Sequence, residues 1–446
     1  MRIEGRVFRG LLEVLVLWAK TSPDRTAPGY CRLEAEGPDV LAVEFPTQAG
    51  WLRVTVPAAA GDEGALYGVD LPLLLKVLKA ASWPRVEAVG DVELEWTDRD
   101  LRVTVPNWRQ ARSGWVEAAP AFFAFPLNQG ICCQADALPA APPPVEGVTV
   151  VMEPASLAAA VSGAASCVAG SADRGVLQCV ELVCRADELL GLSTDGAVAA
   201  IASEPVALGV EEQVTVPLPP ATLKVVLALW EKLQLQGDLV LKVAEGGSGP
   251  VLEISPQEGG PERMRVALRL MKGHLPLDML EGLPESTKVA MGQVECREAL
   301  LSQLELAELN PAAKVAWLVW EEGQLMVCSH GPFMDMREPV ALTAAPKKPA
   351  EIAINTDRLR NALQQLKASG GVGPISLYLD QVQRPTRVLM RQLNPVTGQV
   401  RRVVVMGTAG TSYETFRARA AELVATAQAE QAKQRRRDSY NAPISA

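Results

Sequence analysis

The sequence is poor in the residues that metal sites and nucleophilic active sites require. Only two histidines, His274 and His330, occur in 446 residues, which leaves little material for a histidine-rich metal site or a Ser-His-Asp triad. The eight cysteines form no Cys-x-x-Cys pair and mostly lie in apolar runs, as buried reduced thiols do. Phosphate-loop and nucleophile-elbow motifs are also missing. The sequence therefore predicts no cofactor, no metal and no catalytic site.

Long apolar segments and an excess of positive charge are missing as well. No run approaches the roughly 18–20 apolar residues of a membrane-spanning helix, and Met1–Arg6 carries charges of both signs instead of a signal-peptide core. We therefore expect a soluble, cytoplasmic protein. The formal net charge of −9 argues against nucleic-acid binding by the whole surface, although a local basic track remains compatible with it.

One sequence pattern occurs three times in the chain. A short extended stretch runs into an amphipathic helix around Leu74, Leu223 and Leu359. A second helical pattern also recurs three times, at Leu11–Leu12, Leu157 and Leu300–Leu301. The copies lie roughly 140 residues apart, whereas solenoid repeats have periods of about 20–50 residues. Whole domains are therefore repeated, and a prior of about 150 residues per domain also gives three domains.

Each repeat is predicted to run helix, strands, helix, strands. This order favours an α+β fold with antiparallel sheets and helices on one face. Four prolines between Pro139 and Pro144 indicate a stiff, extended linker after the first repeat. The predicted boundaries are domain 1 at 1–133, the linker at 134–147, domain 2 at 148–282, domain 3 at 283–410 and an extension at 411–446.

Periodicity and capping signals also place individual elements. The predicted helices are Val7–Lys20, Pro72–Ser82, Pro154–Val168, Ala221–Gln234, Arg297–Glu308 and Thr356–Ala368, with a further helix at Glu414–Gln434 in the extension. The predicted strands include Val92–Trp96 with Leu101–Val105, Val176–Cys184, Glu188–Ser193, Lys314–Trp320 with Gln324–Ser329, and Ile375–Leu379 with Arg387–Arg391.

Five short motifs follow one another along about the first 410 residues. They are Leu189–Gly196, Lys272–Pro276, Leu283–Pro284, Ile354–Asn355 and Val404–Met406. In this order and at this spacing they resemble the motifs of the bacterial β sliding clamp, the beta subunit of DNA polymerase III. The chain is thus similar to a divergent clamp with a C-terminal extension.

The resemblance implies a fold and a task. Each chain would hold three tandem clamp domains, and two chains would close head to tail into a ring with helices inside and antiparallel sheets outside. Such a ring encircles duplex DNA without reading its sequence and tethers a replicative polymerase, so it is a non-catalytic processivity factor. An acidic exterior with basic inner helices suits this task, because contacts to phosphate carry no sequence information.

The resemblance and the helix pattern together suggest which basic residues face DNA; the alternative for each is an ordinary solvated helix face. The candidates are Arg9, Lys20, Arg25, Lys76, Lys79, Arg174, Lys224, Lys232, Arg358, Arg360 and Lys367. The second repeat departs from the family here. Pro219–Ala221 stands where the family often has a basic pair, and the helix from Pro154 to Cys167 contains no basic residue.

The resemblance also implies a pocket where DNA polymerase, the clamp loader and other partners insert short apolar motifs. By position its residues are Leu177, Thr194, Gly196, Pro276, Leu280, Val404 and Met406. Without the resemblance, Thr194–Gly196 is simply a turn with a glycine suited to positive φ. Ala197–Ala199 and Gly407 differ from the family pattern, which predicts a pocket of altered shape and lower positive charge.

Two further features bear on assembly and regulation. Trp115, Leu306 and Leu309 correspond to the head-to-tail dimer interface, with core packing as the alternative for Trp115. The extension is either a solvated helix with a disordered end, a cover for the pocket through Tyr413 and Phe416, or a DNA contact through Arg435–Arg437.

Two other functions compete with the clamp. One is a clamp-like interaction scaffold whose DNA loading and motif binding are altered or lost, suggested by the departures in the second repeat. The other is an enzyme, which the missing catalytic motifs disfavour.

Overall fold

The computed structural model describes most of the chain, in two compact units. The described residues are 1–21, 29–47, 50–59, 66–80, 90–97, 99–111, 114–127, 132–134, 141–170, 172–246, 249–275, 289–295, 297–308, 314–330, 335–344, 349–368, 373–381, 383, 385–408, 412–415 and 418. The first unit comprises Met1–Ala158, Glu181–Leu189 and Val206–Gly273; the second comprises Ala159–Val180, Leu190–Pro205 and His274–Ala446. The division into three domains stays a prediction.

Seven α-helices occur among the described residues. They are α1 Gly5–Thr21, α2 Leu71–Ala80, α3 Pro154–Ser162, α4 Pro220–Lys232, α5 Gly260–Arg263, α6 Arg297–Glu308 and α7 Thr356–Ala368. Two 3-10 turns, Ala165–Cys167 and Ala172–Gln178, follow α3. No described helix is both long and apolar enough to cross a lipid bilayer.

The strands are short and numerous. In the first half of the chain they are β1 Arg2–Glu4, β2 Tyr30–Ala35, β3 Val40–Pro46, β4 Gly50–Pro57, β5 Leu66–Asp70, β6 Asp91–Trp96, β7 Asp100–Ala111, β8 Gly114–Pro126, β9 Cys132–Gln134, β10 Val148–Met152, β11 Val180–Cys184, β12 Glu188–Thr194 and β13 Val198–Pro205. In the second half they are β14 Val214–Leu218, β15 Leu239–Gly246, β16 Gly249–Pro256, β17 Met264–Arg269, β18 Val289–Val294, β19 Val315–Glu321, β20 Gln324–His330, β21 Asp335–Val340, β22 Leu342–Ala344, β23 Ala350–Asn355, β24 Ile375–Leu379, β25 Arg387–Leu393 and β26 Val400–Met406.

The predicted order of helix, strands, helix, strands is confirmed in all three repeats. Three strands follow each major helix: β2–β4 after α1, β6–β8 after α2, β11–β13 after α3, β15–β17 after α4, β19–β21 after α6 and β24–β26 after α7. The fold is α+β with antiparallel sheets, as the sequence predicts.

In the first unit, a four-stranded sheet has the order β1-β6-β7-β8. A second sheet has the order β10-β15-β16-β17-β4-β3-β2-β5-β9. Its central pairing joins β4 of the first repeat to β17 of the second, with Trp51 opposite Ala267 and Arg53 opposite Arg265. One sheet therefore runs continuously through parts of two repeats.

In the second unit, seven strands have the order β12-β13-β26-β25-β24-β18-β22, and a separate sheet has the order β21-β20-β19-β23. The pairing of β13 with β26 joins the second repeat to the third, with Ala199 opposite Val404 and Val198 opposite Val405. The same kind of join thus occurs in both units.

The helices bury one apolar side against these sheets. On α1, the side chains of Phe8, Leu11, Leu12, Leu15 and Trp18 are wholly inaccessible to solvent. Their spacing of three and four residues places them on one helix face, as the amphipathic pattern predicts.

The sequence-based element bounds are close for most elements, and two elements are shorter than predicted. The predicted helices Arg297–Glu308 and Thr356–Ala368 match α6 and α7. The predicted helix Pro154–Val168 was too long, because α3 ends at Ser162 before Gly163, where a side chain would meet Ala202 and Arg401. The predicted strand Val176–Cys184 begins only at Val180. Of the predicted helix in the extension, only Tyr413–Thr415 and Ala418 lie among the described residues, and they are helical.

Cys31, Cys167, Cys179, Cys184 and Cys328 are buried free thiols, which confirms the sequence prediction for these five. Burial raises the pKa of Cys167 to about 12, and the nearby Asp195 carboxylate adds to the effect. Burial likewise raises the pKa of Cys184 to about 12. Both thiols are therefore protonated and unreactive at neutral pH.

A buried ion pair fastens the proline-rich linker to the first unit. The Arg265 guanidinium donates to the Glu253 carboxylate at 2.7 Å and to the carbonyls of Pro142 at 2.9 Å and Pro143 at 2.6 Å. The Val145 amide donates to the same carboxylate at 3.1 Å. The linker segment is therefore held by charge-assisted hydrogen bonds and does not act as a loose tether.

Replacing Arg265 with alanine should destabilise the first unit strongly. The change leaves Glu253, only 1% exposed, as a buried carboxylate without its cation. We expect a loss of about 3–5 kcal/mol in the free energy of unfolding, measured by denaturant titration, and faster proteolysis at 141–147. Arg269→Ala, on the same strand but exposed, is the control and should change the free energy of unfolding by less than about 0.5 kcal/mol. Equal effects of the two variants would contradict a fastening role for Arg265.

Candidate nucleic-acid interface, peptide site and chain edges

The solvent face of α1 carries most of its charge. Arg6, Arg9, Glu13, Leu17 and Lys20 follow at steps of three and four residues, opposite the buried apolar face. Helix spacing therefore aligns three basic side chains along one side of α1. Arg6 is an exposed residue of this row that the sequence analysis missed. Its spacing of three residues from Arg9 was the available signal.

Glu13 lies between two of the candidate DNA contacts. Its carboxylate accepts from Arg9 Nε at 3.3 Å and lies 3.2 Å from Lys79 Nζ. Partial burial opposes ionisation of Glu13, but the hydrogen bonds from Lys79 and Arg9 outweigh it and hold the pKa below its ordinary value. Glu13 therefore remains ionised at neutral pH and offsets part of the positive charge of α1 and α2.

Helix α4 packs beside α1 within the first unit. A side chain at Gly10 would meet the Lys232 side chain 3.3 Å away, so the Lys232 stem lies over this glycine. Lys224 and Lys232 are both exposed. The close approach at Gly10 therefore brings the basic end of α4 next to α1.

The helices differ sharply in charge. Together α1, α2 and α4 contain seven Lys and Arg residues against two Glu residues. In contrast, α6 contains three Glu residues and one Arg residue, Arg297, which is buried. Helix α7 carries Arg358, Arg360 and Lys367 against Asp357. In a protein of net charge −9, the first-unit helices and α7 are thus locally basic.

Most of the candidate DNA contacts lie on these helices. Lys20, Lys76, Lys79, Lys224 and Lys232 are exposed, while Arg9, Arg358 and Arg360 are half-buried. Lys367 lies in α7 and Arg174 in the 3-10 turn Ala172–Gln178, but their side chains are outside the described part of the structure. Arg25 lies outside the described residues altogether.

The Thr194–Gly196 segment forms a tight turn between β12 and β13. The Thr194 hydroxyl donates to the Val198 carbonyl at 2.8 Å and accepts from the Gly196 amide at 3.0 Å. The Asp195 carboxylate accepts from the amides of Ala197 at 2.7 Å and Val198 at 2.8 Å. Gly196 has φ of 92°, a conformation that favours glycine. The turn is therefore fixed by its own side chains, as the Thr-Asp-Gly sequence suggests.

This turn lies beside the end of the last strand. The Met406 amide donates to the Ala197 carbonyl at 2.9 Å, and Val404 pairs with Ala199. Met406 is 44% exposed although it is apolar, while Val404 is buried beside it. Of the seven predicted pocket residues, the structure therefore brings four together: Thr194, Gly196, Val404 and Met406.

The remaining pocket candidates are less defined. Leu177 is half-buried in the 3-10 turn Ala172–Gln178 of the same unit, where its carbonyl accepts from Ala169 at 2.8 Å. Pro276 and Leu280 lie outside the described residues. The extension does not cover this site through Tyr413, because Tyr413 packs on Trp317 of the sheet β21-β20-β19-β23. Phe416 and Arg435–Arg437 are outside the described residues.

Among the described residues, β8 is an end strand of the sheet β1-β6-β7-β8, and β21 is an end strand of the sheet β21-β20-β19-β23. On β8, Phe122 is 60% exposed, an unusual position for a large aromatic side chain. Unpaired edges expose backbone donors and acceptors and readily pair with another chain.

The predicted interface residues lie at or near these two edges. Trp115 is part of β8, although its side chain is outside the described part. Leu306 is 41% exposed on α6, and α6 packs against β21. Leu309 lies outside the described residues. Phe122 was missed by the sequence analysis, because the alternation along 119–125 is too irregular to show which strand is an edge.

The fold matches solved structures of bacterial sliding clamps. The DNA polymerase III subunit beta of Pseudomonas aeruginosa is 17% identical, with a TM-score of 0.68 and coverage of 92% of this chain and 99% of that chain. The DNA polymerase sliding clamp of Bacillus subtilis is 15% identical, with a TM-score of 0.69 and coverage of 92% and 99%. The beta clamp of Helicobacter pylori is 14% identical, with a TM-score of 0.68 and coverage of 92% and 100%.

At the level of sequence, neither a protein-family model nor a curated protein matches the chain. The likeness is therefore carried by the three-dimensional structure, and it extends over almost the whole length of each clamp. The fold that the sequence motifs predicted is confirmed: this chain has the fold of the bacterial DNA polymerase III beta sliding clamps.

Proposed function

We propose that the protein is a DNA sliding clamp, a homodimeric ring that encircles duplex DNA and tethers a replicative polymerase and other factors. The observation that carries the proposal is the pattern of strand pairing between repeats. Continued to a second chain, this pattern would pair two end strands, β8 of the first repeat and β21 of the third.

Each join within the chain follows one rule. The third strand after the first major helix of a repeat pairs with the third strand after the second major helix of the next repeat, as β4 does with β17 and β13 with β26. Applied to the third repeat of one chain and the first repeat of another, this rule would pair β21 with β8. Both strands lie at the edge of their sheet. Pairing β21 of one chain with β8 of another would repeat the join and close a head-to-tail ring.

The charge distribution supports DNA as the molecule inside the ring. The basic side chains of α1, α2, α4 and α7 would contact phosphates. The excess of acidic residues elsewhere disfavours binding of DNA to the outer surface of the ring. Contacts to phosphates do not depend on the base sequence, so the ring can slide along DNA. The acidic α6 and the uncharged α3 imply that the basic contacts are distributed unevenly among the repeats.

The site at Met406 supports a role as a platform for partners. An exposed methionine beside a rigid turn offers an adaptable apolar surface to a short peptide. The polymerase and the clamp loader would bind here through apolar motifs. The proposed role involves no catalysis, and it places the protein in the cytoplasm, where it acts in replication.

The first experiment is the solution mass by light scattering at low micromolar concentration. Wild-type protein should show about twice 47.7 kDa. Phe122→Asp should shift the mass to that of one chain, because a carboxylate on β8 would be buried without a partner at the proposed edge pairing. Val396→Asp, an equivalent change at a residue that is 90% exposed on a turn, should leave the dimer intact. If the wild-type protein stays monomeric at high concentration, two chains do not close into a ring by themselves. That result would favour the clamp-like interaction scaffold instead.

Glu13→Gln should strengthen sequence-independent DNA binding. The change releases Arg9 and Lys79 from a carboxylate and allows them to contact phosphates. On a short duplex, fluorescence anisotropy should show tighter binding. The slope of log K against log salt concentration should become more negative by roughly 0.9 for each additional phosphate contact. Glu95→Gln on the outer side of β6 makes the same change in net charge and should have little effect. The assignment of α1 and α2 to the DNA face fails if the two variants behave alike.

Met406→Ala should weaken binding of a short synthetic peptide with leucine and phenylalanine anchors. Truncation removes apolar contact area at the end of β26, so we expect about a tenfold higher Kd by titration calorimetry. Leu393→Ala is a matched control, since Leu393 is 45% exposed against 44% for Met406 but lies at the other end of the paired strands β25 and β26. Unchanged affinity in Met406→Ala would place the peptide site elsewhere.

A further inference from the structure

Strand β19 of the third repeat is buried on both faces. Its residues Ala316–Trp320 are all at most 5% exposed. On β2, the corresponding strand of the first repeat because it is the first strand after α1, partly exposed and buried residues alternate, as expected for a sheet with one face in water. A second layer must therefore cover the third-repeat sheet on its outer side.

The covered surface is apolar and continuous across several strands. It consists of Trp317, Val319, Cys328 and Ala353, with Val315 and Met326 partly buried at its margin, and is called the β19 outer face below. Trp317 pairs with Cys328 on one side and with Ala353 on the other, so these side chains share one face of the sheet. Left in water, such a patch would promote association with other chains.

The cover is the first turn of the C-terminal extension. Tyr413 is 4% exposed, and its ring meets that of Trp317 edge-on at 5.5 Å between centroids and 61° between planes. Its amide donates to the Glu351 carboxylate at 3.3 Å, and its hydroxyl donates to the Met336 carbonyl at 3.5 Å. One side chain thus contacts β19, β21 and β23.

The chain already lies against the neighbouring sheet just after β26 ends. The Gly407 amide donates to the Thr386 carbonyl at 2.8 Å, and the Thr408 amide donates to the Ala353 carbonyl at 2.8 Å. A side chain at Gly407 would lie 3.0 Å from Ile352, so the chain passes close to β23 at the point where glycine stands. Gly407 and Thr408 therefore lie beside β23, one of the strands that Tyr413 also contacts.

Beyond Tyr413, the turn also contacts the edge strand itself. Glu414 lies 3.7 Å from the Arg337 guanidinium on β21, and the Thr415 amide donates to Ser412 Oγ at 3.2 Å within the turn. Both the Met336 carbonyl and the Arg337 side chain belong to β21, and β20 is its one neighbouring strand within the described part of the chain. The turn therefore supplies β21 with a second support.

We propose that Ser412–Thr415 is an anchor that docks on the β19 outer face and holds β21 in the conformation needed to pair with another chain. The occupant of this apolar surface is thus the extension of the same chain, with Tyr413 as its principal contact. The inference rests on the proposed function, because β21 is the edge through which the ring would close. Release of the anchor loosens that edge and weakens the ring.

The anchor supplies the cover over the β19 outer face, and it assigns the start of the extension a role at the chain edge instead of at the peptide site. The groups that the anchor contacts lie on three strands of one sheet, β19, β21 and β23, so the docking fixes the relative positions of these strands.

The test measures hydrogen exchange and dimer affinity in the full-length protein. Tyr413→Ala should accelerate amide exchange of 335–340 in β21 and raise the dimer dissociation constant about tenfold, while exchange of 375–379 in β24 stays unchanged. Tyr413→Phe keeps the ring on Trp317 and should remain within about twofold of wild type. Glu414→Gln removes only an exposed ion pair and should also stay near wild type.

The outcomes separate the anchor from the ring. Unchanged β21 exchange in Tyr413→Ala overturns the anchor, whatever the dimer affinity. Faster β21 exchange with an unchanged dimer dissociation constant overturns the link to ring closure. If wild-type protein itself is monomeric at every concentration, the proposed ring function fails, and the exchange data alone then decide whether the anchor exists.

Discussion

Antiparallel pairing between the third strand of one repeat and the last strand of the next is the interaction on which the rest of the structure depends. It turns separate helix-and-strand modules into continuous sheets, at β4–β17 in the first unit and at β13–β26 in the second. Because strand pairing fixes register residue by residue, a slip of one position would reverse the faces of a whole strand. The basic helices and the Met406 site both derive their positions from these joins.

At each join, one of the two paired strands carries an arginine that is buried against a glutamate. Arg265 on β17 binds Glu253 on the neighbouring strand β16, whereas Arg401 on β26 binds Glu204 on β13 across the join itself. Arg401 reaches further carbonyls at Ala159 and Ser203, at 3.3 and 3.4 Å. Burying such pairs costs desolvation energy, so their value lies less in net stability than in penalising any register that separates the partners. Charge at a join thus acts as a specificity element within an apolar sheet.

The sequence predicted the periodic elements well and the long-range contacts poorly. The bounds of α6 and α7 follow from local amphipathic spacing, and the Thr194–Gly196 turn follows from its own side chains. The partners of Tyr413 could not be found this way, since Met336 and Trp317 lie far from it in sequence. A signal was nevertheless present: six apolar residues run from Val315 to Trp320, and a one-sided strand would have alternated. Which strand forms an edge is a property of the whole sheet and has no local signature.

The two edges that the proposed ring would pair are different strands, β8 and β21, and this difference has a consequence for assembly. If two chains paired through the same edge strand, the dimer would have no further copy of that edge to offer. When β8 of one chain pairs with β21 of another, each open assembly still exposes one β8 and one β21, and only closure into a ring pairs both. The number of subunits is then determined by the bend accumulated along each chain and not by the strength of the edge contact. A substitution that alters the bend at β4–β17 or β13–β26 could therefore produce open filaments while both edges remain intact.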